Sequence, residues 1–554
     1  MKRDALKALT NAHAWVGLII STILFIIFFA GSLSLFREDI ISWERDPYFT
    51  VSDDVENFSF DALISQVTQD YKVHTHGYFI LQRPTAEQPS SNIYFEEEIV
   101  TQGNLGFKQD SQLEDPVDDH IDRHLIISPD GTILGDGNAF DWGNFLYHLH
   151  YNLHIPQVGL YFVGLVTLFF FVALLSGVVI HWRKIISKFF QYRKDGNKDK
   201  LLDAHNLIGV MGLPFHIMYA FSGLVFNLLI VYQISYAVAL YGGDQAKLFK
   251  AAGVVDVHIE ETNIAVPVQG IDKLYLTAKE SLGEVAITRI SIDHFGDESA
   301  SVTFRGDDKS QFSTRKEVTY HIVSGRELYL TKNNYDNDIR GGLAVIASLH
   351  FGDFAGYSLR ILFFVLGIGT CYIILTGNLM WLQKRANLRS EKQNKFGLRL
   401  VKAMTTGGFI GTIFATAVGF LCARLLPIEL VDRSDLIGQI FFACLAASLI
   451  ASLLIKAQQQ FAAIFLKITA LALAMIPVLD WLMLSQGIVV MFKAGHFDVV
   501  IVEVMLLSLA LCCWLVSSRL FSSTETVVNE QPISLNELAE NSIAEVMPSV
   551  KVIS

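Results

Sequence analysis

Long apolar stretches recur along the chain and are separated by polar segments. A helix of about 20 apolar residues spans the ~30 Å hydrocarbon core of a bilayer. Stretches of that length occur near 14–36, 157–182, 206–234, 343–381, 400–425, 436–456, 459–484 and 497–520. The pattern therefore predicts an α-helical membrane protein with about eight transmembrane helices.

The two longest polar segments, 37–156 and 235–342, have the patterns of small α+β domains. In each, a stretch with helical spacing is followed by about three runs that alternate like strands. These are 57–70, then 77–82, 91–100 and 124–134 in the first segment, and 269–282, then 285–293, 299–305 and 316–323 in the second. The segments therefore predict two domains built in the same order.

Histidine and glycine repeat through the first four apolar stretches. The first and third share a histidine, a glycine four residues later and a glycine eighteen residues later: His13, Gly17 and Gly31, then His205, Gly209 and Gly223. A Leu-His pair precedes the second and fourth, with a glycine 27 residues after the histidine: His150 and Gly177, then His350 and Gly377. The repeat predicts a duplicated four-helix core bundle.

The repeated histidines fall at two matching membrane depths. His13 and His205 begin helices at one face, whereas His150 and His350 precede helices at the other. Haem iron with two imidazole ligands needs histidines on facing helices at one depth. Glycine leaves room for a porphyrin between helices, so Gly31 and Gly223 are expected near the second pair and Gly177 and Gly377 near the first. Two haem b groups are therefore expected, with these histidines as iron ligands.

Other histidines compete for the same roles. His148 and His154 flank His150, and either could ligate the iron in its place. His216, eleven residues after His205, is a further alternate ligand, although Pro214 indicates a helix break or a packing role. The remaining polar-segment histidines are interpreted as surface residues. His74-x-His76 and His120-x-x-x-His124 give only weak evidence for a metal site.

Basic residues crowd the short links after the second and fourth stretches. Seven lysines and arginines lie within 183–200, and seven more lie within 384–402. Short basic links face the cytoplasm. We therefore expect cytoplasmic N- and C-termini, the His13 and His205 pair at the cytoplasmic face, and segments 37–156 and 235–342 outside.

The composition and the absence of several motifs limit which cofactors and electron donors are expected. Apolar residues make up 51% of the chain, and charged residues only 18%, against roughly 25% in soluble proteins. All five cysteines fall in predicted spans, so no disulfide framework supports the outer segments, and the C-x-x-C-H signature of covalent haem is absent. No Walker or dinucleotide-binding motif occurs. An electron donor is therefore expected to be a quinol or a separate cytoplasmic reductase.

Residues 1–385 resemble the PepSY-associated transmembrane family. Its helices begin with His-x-x-x-Gly and end in Thr/Ser-Gly, as do the segments above at Ser176-Gly177, Ser222-Gly223 and Thr376-Gly377, with Trp182 and Trp381 following. The resemblance implies two PepSY-like extracytoplasmic domains and a place in the bacterial inner membrane. Characterised relatives are di-haem ferric-siderophore reductases, but they lack the four helices found here after residue 400.

Two functions remain as hypotheses. The first is transmembrane electron transfer through two bis-histidine haems, which reduces a periplasmic ferric siderophore or other ferric chelate for iron uptake. The alternative is a haem-free membrane protein that binds and regulates a peptidase or other membrane partner. The lipid bilayer is a partner in both, and no nucleic-acid partner is expected.

These expectations divide the chain into seven parts. They are helix 1 (1–36), the first PepSY-like domain (37–156), helices 2 and 3 (157–234), the second PepSY-like domain (235–342), helix 4 (343–385), an additional four-helix membrane region (396–521) and a disordered cytoplasmic tail (522–554).

Overall fold

The computed structural model of the protein describes eleven stretches of the chain. They are residues 3–45, 59–83, 91–98, 120–128, 131–182, 197–251, 259–308, 314–331, 338–386, 395–485 and 487–529. Most of the predicted tail, 530–554, lies outside the described residues.

Helices dominate these stretches. In chain order they are α1 (Arg3–Ser34), α2 (Arg37–Arg45), α3 (Phe60–Asp70), α4 (Trp142–Tyr151), α5 (Pro156–His181), α6 (Asn197–Met211), α7 (Leu213–Asn227), α8 (Leu229–Tyr241), α9 (Gln245–Ala251), α10 (Ile271–Leu282), α11 (Asp338–Phe351), α12 (Gly356–Ala386), α13 (Lys395–Ala403), α14 (Gly411–Leu425), α15 (Arg433–Leu454), α16 (Gln458–Leu484), α17 (Ile488–Ala494) and α18 (Phe497–Asn529). A π-helical segment, Met404–Ile410, joins α13 to α14.

The membrane spans agree with the apolar pattern. Seven helical spans in the described residues are long and apolar enough to cross a membrane, and a bent helix pair makes an eighth if it counts as one span. The seven are α1, α5, α12, α13 continued by α14, α15, α16 and α18. The prediction of an α-helical membrane protein with about eight spans is confirmed.

Two of the predicted spans are interrupted. The stretch 206–234 is not one straight helix, because α6 and α7 meet at an angle of 67°. Pro214 in the first turn of α7 cannot donate a backbone hydrogen bond and ends the preceding helix at Gly212. The stretch 343–381 is divided at Gly352, whose φ of 65° ends α11 before α12 begins.

The two polar segments share a single β-sheet. Its strands are β1 (Phe79–Gln82), β2 (Ser91–Glu98), β3 (His120–Ile127), β4 (Ile133–Asp136), β5 (Ile287–Asp293), β6 (Ser301–Asp308), β7 (Thr314–His321) and β8 (Glu327–Leu330). Their order is β4-β3-β2-β1-β5-β6-β7-β8. Each segment contributes four strands rather than three, and the halves join where β1 pairs antiparallel with β5. The expected α+β units are therefore two halves of one sheet, and the joint leaves neither half with a free inner edge.

Two helices cover one face of this sheet and cap each other. Apolar residues of both halves form one core with α3 and α10, including Phe79, Phe95 and Phe304. The carboxylate of Asp272 in α10 accepts a hydrogen bond from the Phe60 N–H of α3 at 2.7 Å. Asp61 of α3 accepts one from the Ile271 N–H of α10 at 2.9 Å. This reciprocal capping satisfies backbone donors at both helix N-termini.

The opposite face of the sheet, here termed the polar face, lies toward the membrane helices. His124 stacks on Tyr94 with ring centroids 4.3 Å apart, and its Nε2 is 3.0 Å from Asn92 Oδ1. Burial, aided by the positive charge of Arg45 in α2, lowers the pKa of His124 to about 4. His124 is therefore neutral at physiological pH, and it packs where a side chain at Gly137 would overlap its ring.

Short helix α2 connects the core bundle to the additional C-terminal spans through buried charge pairs. Asp39 accepts hydrogen bonds from Arg360 of α12 at 3.0 Å and from Tyr357 at 2.6 Å. Glu44 accepts one from Arg433 of α15 at 2.6 Å. Both carboxylates are almost completely buried. Because buried charges are stable only when paired, α2 fixes the position of α15 relative to the core.

A second contact of α2 fixes two more C-terminal helices. Trp43 Nε1 donates to Asp480 of α16 at 2.9 Å, and Arg424 of α14 donates to the Trp43 backbone oxygen at 2.9 Å. Arg424 also forms an ion pair with Asp480 at 2.5 Å. The additional helices are thus docked by directional polar contacts as well as by apolar packing.

The α2–α15 pair gives a first prediction. Arg433→Leu leaves the buried Glu44 carboxylate without its cation, and loss of one partner of a buried pair costs about 3–5 kcal/mol. We expect a clear fall in the thermal unfolding midpoint of the purified protein in detergent. Lys72→Ala removes an exposed pair with Glu98 and is the matched control, with an expected cost of about 0–1 kcal/mol. Equal midpoints for the two variants would contradict the docking role of Arg433.

Candidate functional site

Two of the repeated histidines face each other at the end of the core bundle far from the sheet. His13 lies in the first turns of α1, and His205 lies in α6. Their ring centroids are 6.4 Å apart, and the ring planes are perpendicular. The structure therefore brings together the pair that the repeat predicts at this depth.

Each of these two imidazoles is held by the neighbouring helix of its own repeat. His13 Nδ1 is 3.0 Å from the Ala173 carbonyl oxygen and 2.9 Å from Ser176 Oγ, both on α5. His205 Nδ1 makes the same pair of contacts with α12, at 3.1 Å to the Ile373 carbonyl oxygen and 3.1 Å to Thr376 Oγ1. The hydroxyls of Ser176 and Thr376, each followed by a motif glycine, thus help to anchor the histidines.

The other pair lies at the sheet end of the bundle. His150, near the end of α4, and His350, near the end of α11, have ring centroids 6.2 Å apart. His150 Nδ1 is 2.8 Å from the Ile27 carbonyl oxygen of α1. His350 Nδ1 is 2.7 Å from Ser222 Oγ of α7, and that hydroxyl donates its own proton to the Met218 carbonyl oxygen. The four histidines therefore form two pairs at opposite ends of one bundle.

The anchoring contacts decide which ring nitrogen is available. A carbonyl oxygen, or a hydroxyl that already donates, can only accept, so Nδ1 carries the proton in all four rings. A neutral imidazole then has its lone pair on Nε2, the arrangement of a metal-ligating histidine with an oriented second nitrogen. Two imidazoles on opposite sides of one metal, each bonded at about 2 Å, have centroids about 6 Å apart. Both pairs have this separation.

Three of the four glycines expected beside the histidines contact them, and Gly223 does not. A Cβ at Gly31 would stand 2.5 Å from His150 Nδ1, so only glycine admits the imidazole there. Cβ atoms at Gly177 and Gly377 would contact His13 and His205 at 3.5 and 3.6 Å. Gly223 instead faces Thr167, at 3.4 Å, although its neighbour Ser222 binds His350.

A cavity of about 530 Å³ surrounds His13 and His205. This is within the range of small-molecule and cofactor sites, about 300–1,000 Å³. Four motif glycines line the cavity: Gly17, Gly177, Gly209 and Gly377. Gly17 and Gly209 face open space, because a Cβ at either position would meet nothing within 4 Å. Lys384 and Arg385 line it too, beside Trp15 and Trp381.

These residues fit haem b. The porphyrin ring is flat and apolar, as the walls of the cavity are apolar. Its two propionate groups are matched by the two cations among the lining residues, Lys384 and Arg385. The two histidines would be its iron ligands, each with the lone pair on Nε2.

The alternate ligands have other surroundings. His154 stacks on Phe145 at 4.1 Å and its Nε2 is 2.9 Å from that residue's carbonyl oxygen. His148 is exposed and contacts His154 rather than His350. His216 is fully buried, and its Nε2 is 3.0 Å from Thr370 Oγ1. Of His148, His150, His154 and His216, only His150 lies opposite His350.

Some polar-segment histidines depart from their interpretation as surface residues. His74 lies against His120, with ring centroids 5.1 Å apart, rather than acting with His76. His76 and His294 converge on Glu261, a grouping that sequence reasoning missed. Their positions in the chain are 76, 261 and 294, so no local spacing could have indicated it.

Comparison with known proteins identifies the family. The model of the PepSY-associated TM region matches residues 10–384. The chain belongs to this family. It is similar to an uncharacterised protein of Pseudomonas aeruginosa, 27% identical over 343 residues that cover 59% of this chain and 84% of that protein. The family match covers the duplicated core and the sheet and ends before the additional C-terminal helices.

The contact of Gly31 with His150 gives a second prediction. Gly31→Ala places a methyl group 2.5 Å from His150 Nδ1, so the ring must move and lose its bond to Ile27. If the pair at the sheet end ligates haem, this variant should lose the absorbance of that haem. Gly342→Ala, where a Cβ meets nothing within 4 Å, is the matched control in α11. Wild-type haem content in purified Gly31→Ala protein would show that the position of His150 is not critical.

Proposed function

We propose that the protein transfers electrons across the membrane through two bis-histidine b-type haems and reduces an extracytoplasmic ferric chelate. One observation carries the proposal: two histidine pairs, 6.4 and 6.2 Å between centroids, lie at opposite ends of one duplicated bundle. All four imidazoles are anchored through Nδ1. A single structural role, such as helix packing, does not require this uniform tautomer.

The residues around each pair would hold haem and keep its ligands in place. His13 and His205 would ligate on the cytoplasmic side, and His150 and His350 on the outer side. Bound haem b supplies a one-electron carrier at each face of the membrane. The anchoring oxygens of Ala173, Ile373 and Ile27 orient the rings and raise the basicity of the ligating nitrogen.

The location of the sheet suggests where the chelate binds. The sheet covers the end of the bundle that carries His150 and His350, with its polar face toward the helices. A polar ferric chelate would bind between this face and the outer pair. Ferric iron prefers hard oxygen ligands. Reduction to Fe(II) weakens the bonds between the iron and these ligands, which favours release of the metal for uptake.

Electrons would enter at the opposite end. The sequence contains no recognisable nicotinamide or flavin motif, so the donor is a quinol or a separate cytoplasmic reductase. The cavity at His13 and His205 includes Lys384 and Arg385, which would pair with the haem propionates and keep those acidic groups out of the apolar bundle.

Single-histidine variants test the assignment of ligands. His13→Ala and His205→Ala should each lower haem content from two to one per chain, because a haem held by only one of its two imidazole ligands would bind the protein much more weakly. His150→Ala should also remove one haem. His148→Ala, two residues away on the same helix, should retain both. The measurement is haem quantification with an optical spectrum. A purified His13→Ala protein with two haems would exclude His13 as a ligand.

Reconstitution in liposomes tests the route. A reductant trapped on the cytoplasmic-side face and a ferric siderophore on the other should yield Fe(II), detected with a chromogenic chelator. His350→Ala should reduce the rate to that of protein-free liposomes, whereas His148→Ala should match wild type. Parental activity in His350→Ala would remove the outer pair from the path and favour the haem-free regulatory function.

A further inference from the structure

Three segments of the extracytoplasmic sheet meet at the joint between its halves. The turn at 74–77 precedes β1, the turn at 294–299 follows β5, and the segment 261–266 crosses beside them. The His76 N–H donates to the Phe295 carbonyl oxygen at 3.0 Å. The Val266 N–H donates to the Gly296 carbonyl oxygen at 2.8 Å. Backbone hydrogen bonds thus hold parts of both repeats together.

Two imidazoles and a carboxylate converge at this meeting point. His76 Nδ1 is 3.8 Å from one oxygen of Glu261, and His294 Nδ1 is 3.5 Å from the other. The ligating atoms of the three residues all lie within 4.8 Å of one another. His76 comes from the first half of the sheet, and His294 and Glu261 come from the second.

The distances do not correspond to hydrogen bonds. Both Nδ1 atoms are buried and have no hydrogen-bond partner among the described residues, and N–H···O bonds are usually 2.7–3.2 Å long. Ligands bound to one metal at about 2.0–2.1 Å with tetrahedral geometry are about 3.3 Å apart. The two Nδ1–carboxylate distances exceed this spacing by about 0.2 and 0.5 Å, and no two of the ligating atoms lie more than 4.8 Å apart.

A buried aspartate positions the carboxylate. Asp297 accepts hydrogen bonds from Thr262 Oγ1 and the Ser299 N–H, each at 2.7 Å, and from the Ile264 N–H at 3.2 Å. These bonds fasten the residues after Glu261 to the turn that carries His294. Asp297 is a positioning residue, and its second oxygen lies 3.8 Å from His76 Nδ1.

We propose that His76, His294 and Glu261 bind a divalent first-row transition-metal ion that links the two halves of the sheet. Two imidazoles and a carboxylate suit Zn²⁺ and Fe²⁺. With neutral imidazoles, Glu261 and Asp297 give the cluster two negative charges, which a divalent cation balances. The Glu261 side chain is 48% exposed, so an ion can reach the site from the extracytoplasmic side. The proposal does not depend on haem.

Zinc titration of the full chain tests the proposal. Tag-free protein in detergent is stripped with EDTA, desalted and titrated with Zn²⁺ alone, and bound zinc is measured by mass spectrometry. Wild type should bind one Zn²⁺ per chain. His76→Ala and His294→Ala should each lower the affinity for this ion at least about 10-fold, because even the loss of a group that only supports a metal ligand has an effect of that size. His321→Ala, on β7, is the matched control, and its binding should equal that of wild type.

Two further measurements guard against misfolding of a variant. Glu261→Gln removes a charge from a half-exposed side chain without creating a cavity and should also weaken zinc binding. Zn²⁺ should raise the thermal unfolding midpoint of wild type, because it binds only the folded site, but not that of His294→Ala. The proposal is overturned if wild type binds no zinc stoichiometrically, or if His76→Ala, His294→Ala and Glu261→Gln all bind it as wild type does.

Discussion

The hydrogen bond from Nδ1 of each paired histidine to the neighbouring helix is the contact on which the proposed site depends. It orients the ring, fixes the proton on Nδ1 and leaves the lone pair of Nε2 available to bind a metal. His13 and His205 contact α5 and α12 in the same way, each through a carbonyl oxygen and a hydroxyl. The two repeats therefore share the tautomer of this histidine as well as the residue itself.

The rest of the fold maintains this arrangement. Joining both halves of the sheet through β1 and β5 ties the segments that lead into α4 and α11, which carry His150 and His350. Helix α2 holds the C-terminal helices against the core through Glu44 and Arg433. Those helices thereby brace the bundle at the sheet end, which gives the part of the chain beyond the family match a structural role.

The sequence predicts the spans and the histidine pairs well because both depend on short, regular spacings. An apolar run of helix length and a histidine eighteen residues from a glycine are local patterns. The union of the two sheet halves was not predictable, since pairing of β1 with β5 joins residues more than 200 positions apart. The same limit hid the cluster of His76, Glu261 and His294. The bend at Gly212 was indicated by Pro214, but its angle of 67° was not predictable from the sequence.

The most direct test of the central claim is the haem content and spectrum of the purified wild-type chain. We expect two haems per chain and a reduced-minus-oxidised spectrum of low-spin, bis-histidine type, since both pairs have two imidazoles with an Nε2 lone pair available and centroids about 6 Å apart. A chain purified from haem-sufficient cells with no haem, or with high-spin haem open at one axial position, would contradict it.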